Sequence, residues 1–142
     1  AAYTMCRVKT LLPKPYLYTP YIDVDCPLRD QLAGLKKLQT ENGLWRTVLD
    51  DEESYEELSA SCGIAAAMIV NNNPLHTKYV IKAMNGIFEN ITPDGRLQNV
   101  SGGTAVMNDL NGYRSISRDW AQGWGQGLAL AFMTAAIDTD RG

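Results

Sequence analysis

The carboxylate and hydroxyl groups of Glu57, Ser59 and Ser61 stand at alternate positions just before an apolar stretch of small residues. Trp45 lies upstream of them, after an Asn-Gly pair that is typical of a helix end. Carboxylate and hydroxyl groups hydrogen-bond sugar hydroxyls, and an indole offers a flat apolar face with a polar edge. This pattern suits sugar binding. Two alternatives stay open: Glu57 and its acidic neighbours cap a helix, and Trp45 fills a gap in the core.

A second candidate site is the segment at 101–104, which reads SGGT. Glycine lets the main chain approach a ligand, so Gly102, Gly103 and Thr104 could present backbone N–H groups to a ligand oxygen. A plain turn explains the same residues. The segment is neither a phosphate-binding nor a dinucleotide-binding loop, because no lysine follows and no strong strand and helix flank it.

Four further residues have types that can do chemistry. Trp124 is equally consistent with a sugar-stacking position and with the core, whereas we expect Trp120 in the core. His76 is expected to be an ordinary surface histidine. Cys62 opens a helix, where a lowered pKa is conceivable, but a buried packing thiol is favoured. With a single histidine and three cysteines lacking CxxC spacing, no structural metal site is expected.

Composition limits the classes of partner. The 142 residues carry a net charge of -3, and their lysines and arginines are scattered, which argues against a nucleic-acid surface. No apolar run reaches the roughly 18 residues needed to span a bilayer. Asn90 and Asn99 begin N-glycosylation sequons, which favour an extracellular or secretory location over a cytoplasmic one.

Apolar spacing predicts an all-α chain with one short strand. Prolines end the first helix, and a connection rich in proline and tyrosine follows over 13–27. The predicted helices cover about 1–12, 28–40, 59–71, 75–88 and 125–137, and the strand covers 96–100.

The lengths of the connections predict how these helices are arranged. Long loops at 41–58 and 92–124 alternate with a short link at 72–76. Short links join antiparallel neighbours, so the helices should form hairpins with both long loops at one end. Binding residues gather on loops held by a rigid scaffold, so the site is expected there. So few helices leave an apolar face open, which predicts a sector of a larger toroid or pairing with another chain.

Four segments, in order and at matching intervals, carry a resemblance to a known family. They read LQTENGLWRTVLD, YEELSASCGIAAAMI, PDGRLQNVSGGTAV and GWGQGLALAFM. Together they resemble glycoside hydrolase family 105, the unsaturated rhamnogalacturonyl hydrolases, which are close to family 88. The resemblance covers roughly residues 28 to 137. It implies an (α/α)6 toroid of six helical hairpins around a cleft, with residues 1–142 as its C-terminal part and the N-terminal part absent.

The resemblance also implies a reaction. The family removes a 4,5-unsaturated uronyl residue from pectin-derived oligosaccharides by hydrating a vinyl ether. An aspartic acid protonates the double bond, water adds to the neighbouring carbon, and the hemiketal opens. No metal or organic cofactor is implied. The expected partners are an oligosaccharide and the remaining half of the same polypeptide or another copy of the chain.

The family's catalytic aspartates belong to earlier motifs that this sequence lacks, so no catalytic residue is assigned here. The resemblance carries over support of the cleft, to which it assigns Trp45, Glu57, Ser59, Ser61, Gly102, Gly103 and Thr104. Leu58 and Ala60 depart from the threonine and glycine that the family often has, which leaves the choice of substrate open. The alternative function is a carbohydrate-binding or structural module of toroid type without turnover.

Overall fold

The computed structural model describes residues 1–13 and 23–140, and these form helices and loops. The helices are α1 Ala2–Leu11, α2 Asp25–Lys37, α3 Leu58–Val70, α4 Thr77–Phe88, α5 Leu110–Arg114 and α6 Gly123–Asp140, with a 3₁₀ turn at Pro74–His76. The all-α prediction is confirmed. Most of the connection predicted over 13–27 falls on residues 14–22, which lie outside the described part.

The predicted strand at 96–100 is wrong. Within the described residues, β pairing is limited to two isolated bridges, one of which joins Ile91 to Leu97. The backbone of Leu97 instead bonds the side chain of Gln126 on α6, whose oxygen accepts from Leu97 N at 3.0 Å and whose amide donates to Leu97 O at 3.1 Å. A helix side chain therefore satisfies the backbone groups that a second strand would have paired.

Helix α3 is the centre of the packing, and it contacts α1, α4 and α6. It is apolar on all sides, as expected for a helix buried among others, and its small residues Ala65, Ala66 and Ala67 are fully buried. Small side chains let neighbouring helices approach closely. Helix α6 packs against α3, and its residue Phe132 is also completely buried. The small residues of α3 thus lie at the centre of the helix packing.

Close backbone approach fixes the start of the first long loop against α4. Gly43 has φ +85, and a Cβ there would lie 2.2 Å from the carbonyl oxygen of Lys82. A Cβ on Gly86 of α4 would lie 2.3 Å from the carbonyl oxygen of Asn42. Only glycine fits at both positions. The loop therefore leaves α2 in one defined direction.

Apolar side chains remain exposed on the outer faces of α4 and α6. The examples are Ile81, Phe88, Leu130 and Ile137, each about half exposed or more. This matches the open apolar face predicted for so few helices. Among the described residues, no helix combines the length and apolarity needed to cross a bilayer.

Candidate functional site

The two long loops lie side by side, which confirms the prediction that they emerge at one end. Leu58 N donates to the carbonyl oxygen of Asn99 at 3.3 Å. The hydroxyl of Tyr55 lies 2.7 Å from Ser101 Oγ, and these two atoms share a hydrogen bond. Further out, the guanidinium of Arg114 binds both carboxylate oxygens of Asp51, at 2.6 and 2.7 Å. These contacts hold the loops together over the N-terminal end of α3.

An open pocket of about 420 Å³ lies where the loops meet. Four of the predicted binding residues line it, and Trp124, Thr47, Ala60 and Ser101 complete the lining. The four are Glu57, Ser59, Gly103 and Thr104. The structure therefore brings the two separate candidate motifs to one place.

The Glu57 carboxylate is the most firmly held group in the pocket. It caps α3, and one oxygen accepts from Ala60 N at 2.6 Å and from Ser59 Oγ at 2.8 Å. The other oxygen accepts from Ser101 N at 3.0 Å, and the residue is only 5% exposed. A carboxylate with these partners joins the helix start to the second loop. The capping alternative therefore describes its geometry, while Ser59 faces the pocket and keeps acceptor capacity.

Trp45 and Ser61 lie beneath the pocket, not in its wall. Trp45 is completely buried, and its indole Nε1 donates to the carbonyl oxygen of Leu35 at 2.7 Å. Its backbone N donates to Ser61 Oγ at 3.0 Å, and Ser61 Oγ donates to the carbonyl oxygen of Glu57 at 2.8 Å. A ring without exposed surface has no face to offer a sugar. The stacking role predicted for Trp45 does not fit this position, and the core alternative does.

Residues Gly102 to Thr104 are exposed, and Gly103 and Thr104 form the wall of the pocket that the second loop contributes. Gly102 N donates to the carbonyl oxygen of Ser117 at 2.8 Å, so this N–H already has a partner. Gly103 has φ +100, a conformation that favours glycine, and it turns the chain so that Thr104 also borders the pocket. Gly102 thus anchors the turn, and Gly103 and Thr104 face the open space.

The other two tryptophans differ in exposure from Trp45. Trp124 lies in the first turn of α6, is 51% exposed and borders the pocket. It is followed by Gly125, where a Cβ would lie 2.6 Å from Val100 Cγ2, so glycine lets α6 start against the second loop. Trp120 is 75% exposed, so the core position expected for it is wrong.

Two predictions about titratable groups are decided by burial. The Cys62 thiol is fully buried, and burial together with the charge of Glu57 raises its pKa to about 12, which excludes an activated thiol. His76 is 4% exposed, with Nε2 3.1 Å from Asn71 Oδ1, so the surface position predicted for it is wrong. Burial lowers the pKa of His76, and the nearby charge of Lys36 adds to this effect.

The two loops also carry an ion pair, and the described residues contain no metal-binding cluster. Hydrogen bonds from Arg114 and Ser54 hold the pKa of Asp51 far below its usual value, and Arg114 also contacts Glu53. Over residues 1–13 and 23–140, no three histidine, cysteine or acidic residues are grouped so that they could hold a metal ion.

The helical fold and the four ordered motifs define the class of protein. The model of glycosyl hydrolase family 88 matches residues 1–139, and the chain belongs to this family. The resemblance to family 105 and its neighbour family 88, stated above from the motifs, is confirmed.

Particular relatives narrow the class further. The chain is 44% identical over 141 residues to the unsaturated rhamnogalacturonyl hydrolase YesR of Bacillus subtilis (strain 168), covering 99% of this chain and 40% of YesR. It therefore spans about two fifths of that curated relative. A crystal structure from Salmonella enterica serovar Paratyphi A, described as a possible member of the GH105 family, superposes with a TM-score of 0.83 and 30% identity over 98% of this chain and 37% of that one. A crystal structure from Klebsiella pneumoniae, also described as a possible member of the GH105 family, superposes with a TM-score of 0.85 and 29% identity. The match covers 98% of this chain and 38% of that one.

Proposed function

We propose that this chain is part of a glycoside hydrolase that removes 4,5-unsaturated uronyl residues from pectin-derived oligosaccharides by vinyl-ether hydration. The observation that carries the proposal is the 44% identity to an unsaturated rhamnogalacturonyl hydrolase along 99% of the chain. The pocket between the two long loops supports it, because it joins hydroxyl groups, exposed backbone and an aromatic ring in a space of about 420 Å³.

In this proposal the pocket binds the sugar and the catalytic acid lies elsewhere. Ser59 and Thr104 provide hydroxyls for the sugar, Gly103 lets the ligand approach the backbone, and Trp124 offers a ring face. Among the described residues, Glu57 is the one carboxylate that borders the pocket, and its oxygens already accept from Ser59, Ala60 and Ser101. Since vinyl-ether hydration needs a proton donor at the double bond, we assign that role to no residue of this chain.

The remaining predicted residues act by holding these groups in place. Trp45 and Ser61 support the Glu57 backbone from below, and Gly102 anchors the second loop to Ser117. Precise support of this kind is what keeps a binding group in its productive geometry.

We further propose that residues 1–142 form the C-terminal part of one (α/α)6 toroid, completed by the rest of the polypeptide or by another copy. The exposed apolar side chains on α4 and α6 support this, because such surface is stabilised when another helix layer covers it. The missing part would also carry the catalytic aspartates that the family resemblance implies.

An extracellular location stays a prediction from the two sequons. Both asparagine amides make hydrogen bonds, Asn90 Nδ2 to the carbonyl oxygen of Gly86 at 2.8 Å and Asn99 Nδ2 to Asn90 Oδ1 at 2.7 Å. A glycan on either nitrogen would remove one donor hydrogen from a bonded amide. Intact mass of the secreted and intracellular fractions decides between the two locations.

The test of function uses the polypeptide as its source organism makes it. It is incubated with unsaturated disaccharides generated by a polysaccharide lyase, and the loss of absorbance from the conjugated double bond is followed. Turnover is expected, and Thr104→Ala should raise KM with little change in melting temperature. Absence of turnover with every unsaturated uronyl substrate contradicts the proposal.

The second candidate is a carbohydrate-binding module without turnover. The observation that favours it is the engagement of Glu57, which leaves the described pocket without a free carboxyl group. Saturable binding of the same disaccharides with constant absorbance would establish this alternative.

A further inference from the structure

A second pocket, of about 500 Å³, lies beside the first and contains the exposed ring of Trp120. We call it the Trp120 pocket. Its polar lining includes Arg96, Gln98, Asn99 and Arg118. Trp120 is the most exposed of the three tryptophans, at 75%, so its indole face is available to a ligand in the described chain. Apart from Asn99, whose carbonyl joins the two loops and whose amide belongs to a sequon, these residues have no role assigned above.

The two pockets are neighbours along the same loop. Asn99 lines the Trp120 pocket and Ser101 lines the first one, and two residues of extended chain span at most about 7 Å. Arg118 lies over the Tyr55 ring, 4.1 Å from its centroid, and the Tyr55 hydroxyl bonds Ser101 Oγ. Lining residues of the two pockets are therefore close enough for one oligosaccharide to contact both.

The charges of the Trp120 pocket are balanced. Arg96 Nε donates to Asp94 Oδ2 at 2.7 Å, and Asp119 accepts from Ser117 Oγ at 2.8 Å. With Arg118, the lining therefore carries two cations and two carboxylates. Such a set of side chains does not favour a ligand of one charge, but it provides both hydrogen-bond donors and hydrogen-bond acceptors.

An exposed indole face within a ring of mixed donors and acceptors suits a sugar, because a pyranose has an apolar face and hydroxyls at its edge. We propose that the Trp120 pocket binds a further sugar residue of the same oligosaccharide, beyond the disaccharide at its unsaturated end. This inference rests on the proposed function and extends it to substrate length.

The test compares two substrates that share the same unsaturated end, a disaccharide and a tetrasaccharide. The polypeptide as its source makes it should have a lower KM for the tetrasaccharide. Trp120→Ala should raise that KM about three- to tenfold, as expected for loss of one ring contact, and leave the disaccharide KM unchanged. Trp120→Phe keeps a ring and should retain most of the affinity. Leu75→Ala, at a side chain of similar exposure (70%) outside the Trp120 pocket, is the matched control and should change neither KM.

Equal effects of Trp120→Ala on both substrates, or no effect on either, overturn the inference. So does resistance of Trp120 fluorescence to acrylamide in the free polypeptide, because another part of the protein then covers the ring. A saturated tetrasaccharide separates this inference from the proposed function, because it has no double bond to hydrate. If binding of that compound falls three- to tenfold in Trp120→Ala while no unsaturated substrate is turned over, the Trp120 pocket stands and the proposed function fails.

Discussion

The two walls of the first pocket are held in different ways. The wall at the start of α3 is buried, with the Glu57 carboxylate bonded by three donors and Trp45 packed beneath it. The opposite wall, Gly103 and Thr104, is exposed, and its anchor is the bond from Gly102 to Ser117. Apart from Ser59, whose hydroxyl faces the pocket, the first wall is thus built as scaffold and the second as contact surface. Substitutions in the first should change stability, and substitutions in the second should change binding.

Trp45→Ala should have the largest effect on stability. The side chain is fully buried and bonds the Leu35 carbonyl, so its removal leaves a cavity and an unpaired backbone group. A loss of about 3–5 kcal/mol in the free energy of unfolding is expected, measured by denaturant unfolding. Trp124→Ala, with half its ring exposed, is the matched control and should lose far less. An unchanged unfolding free energy with a raised KM would move Trp45 back into the site.

Glu57→Gln should have the second-largest effect on stability. The variant keeps the size of the side chain but replaces one acceptor by an NH₂ group, which would face the N–H of Ala60 or of Ser101. About 1–3 kcal/mol of stability should be lost, because a buried donor loses its partner and the cap is weakened. Unfolding of Glu52→Gln, at an exposed acidic neighbour, provides the comparison. Equal stability of the two variants would argue against the scaffold role of Glu57.

The Asp51–Arg114 pair, which joins the two loops, should make the stability of the fold depend on pH. Arg114 lowers the pKa of Asp51 in the folded state, so the pair stabilises the fold above the unfolded pKa of about 3.9. This contribution is lost as pH falls through the folded pKa. Unfolding curves of the natural chain and Asp51→Asn should therefore differ at pH 7 and approach each other in strong acid. A difference that is constant with pH would exclude this ion pair as its source.

Thr104→Ala should have the smallest effect on stability and should act on binding. The residue is exposed, so the unfolding free energy should change by no more than about 0.5 kcal/mol. KM for the unsaturated disaccharide should rise, while Thr104→Ser, which keeps the hydroxyl, should restore it. A rise in KM for both variants would assign the contact to the methyl group instead.

The helices and the meeting of the loops could be predicted from sequence, because both depend on local patterns. Leu28, Leu32 and Leu35 repeat at helical spacing and are buried on one face of α2. Connection lengths then place both long loops at one end. The strand at 96–100 failed because its partner is Gln126, a side chain distant in sequence.

The burial of the tryptophans could not be predicted from the sequence. Trp45 was assigned to the site and is buried, whereas Trp120 was assigned to the core and is exposed. The burial of a tryptophan depends on tertiary contacts, and here Trp45 bonds Leu35 of α2 and Ser61 of α3. The flanking residues carried a signal that could have been used, since Leu44 precedes Trp45 and the charged Asp119 precedes Trp120.

Hydrogen–deuterium exchange with and without the unsaturated disaccharide tests most directly whether the first pocket is the binding site. The exposed backbone at 103–104 should exchange more slowly when the ligand is present, and the amide of Ala60, already bonded to Glu57, should change little. Unchanged exchange at 103–104, with protection appearing instead on the outer faces of α4 and α6, would contradict the proposed site.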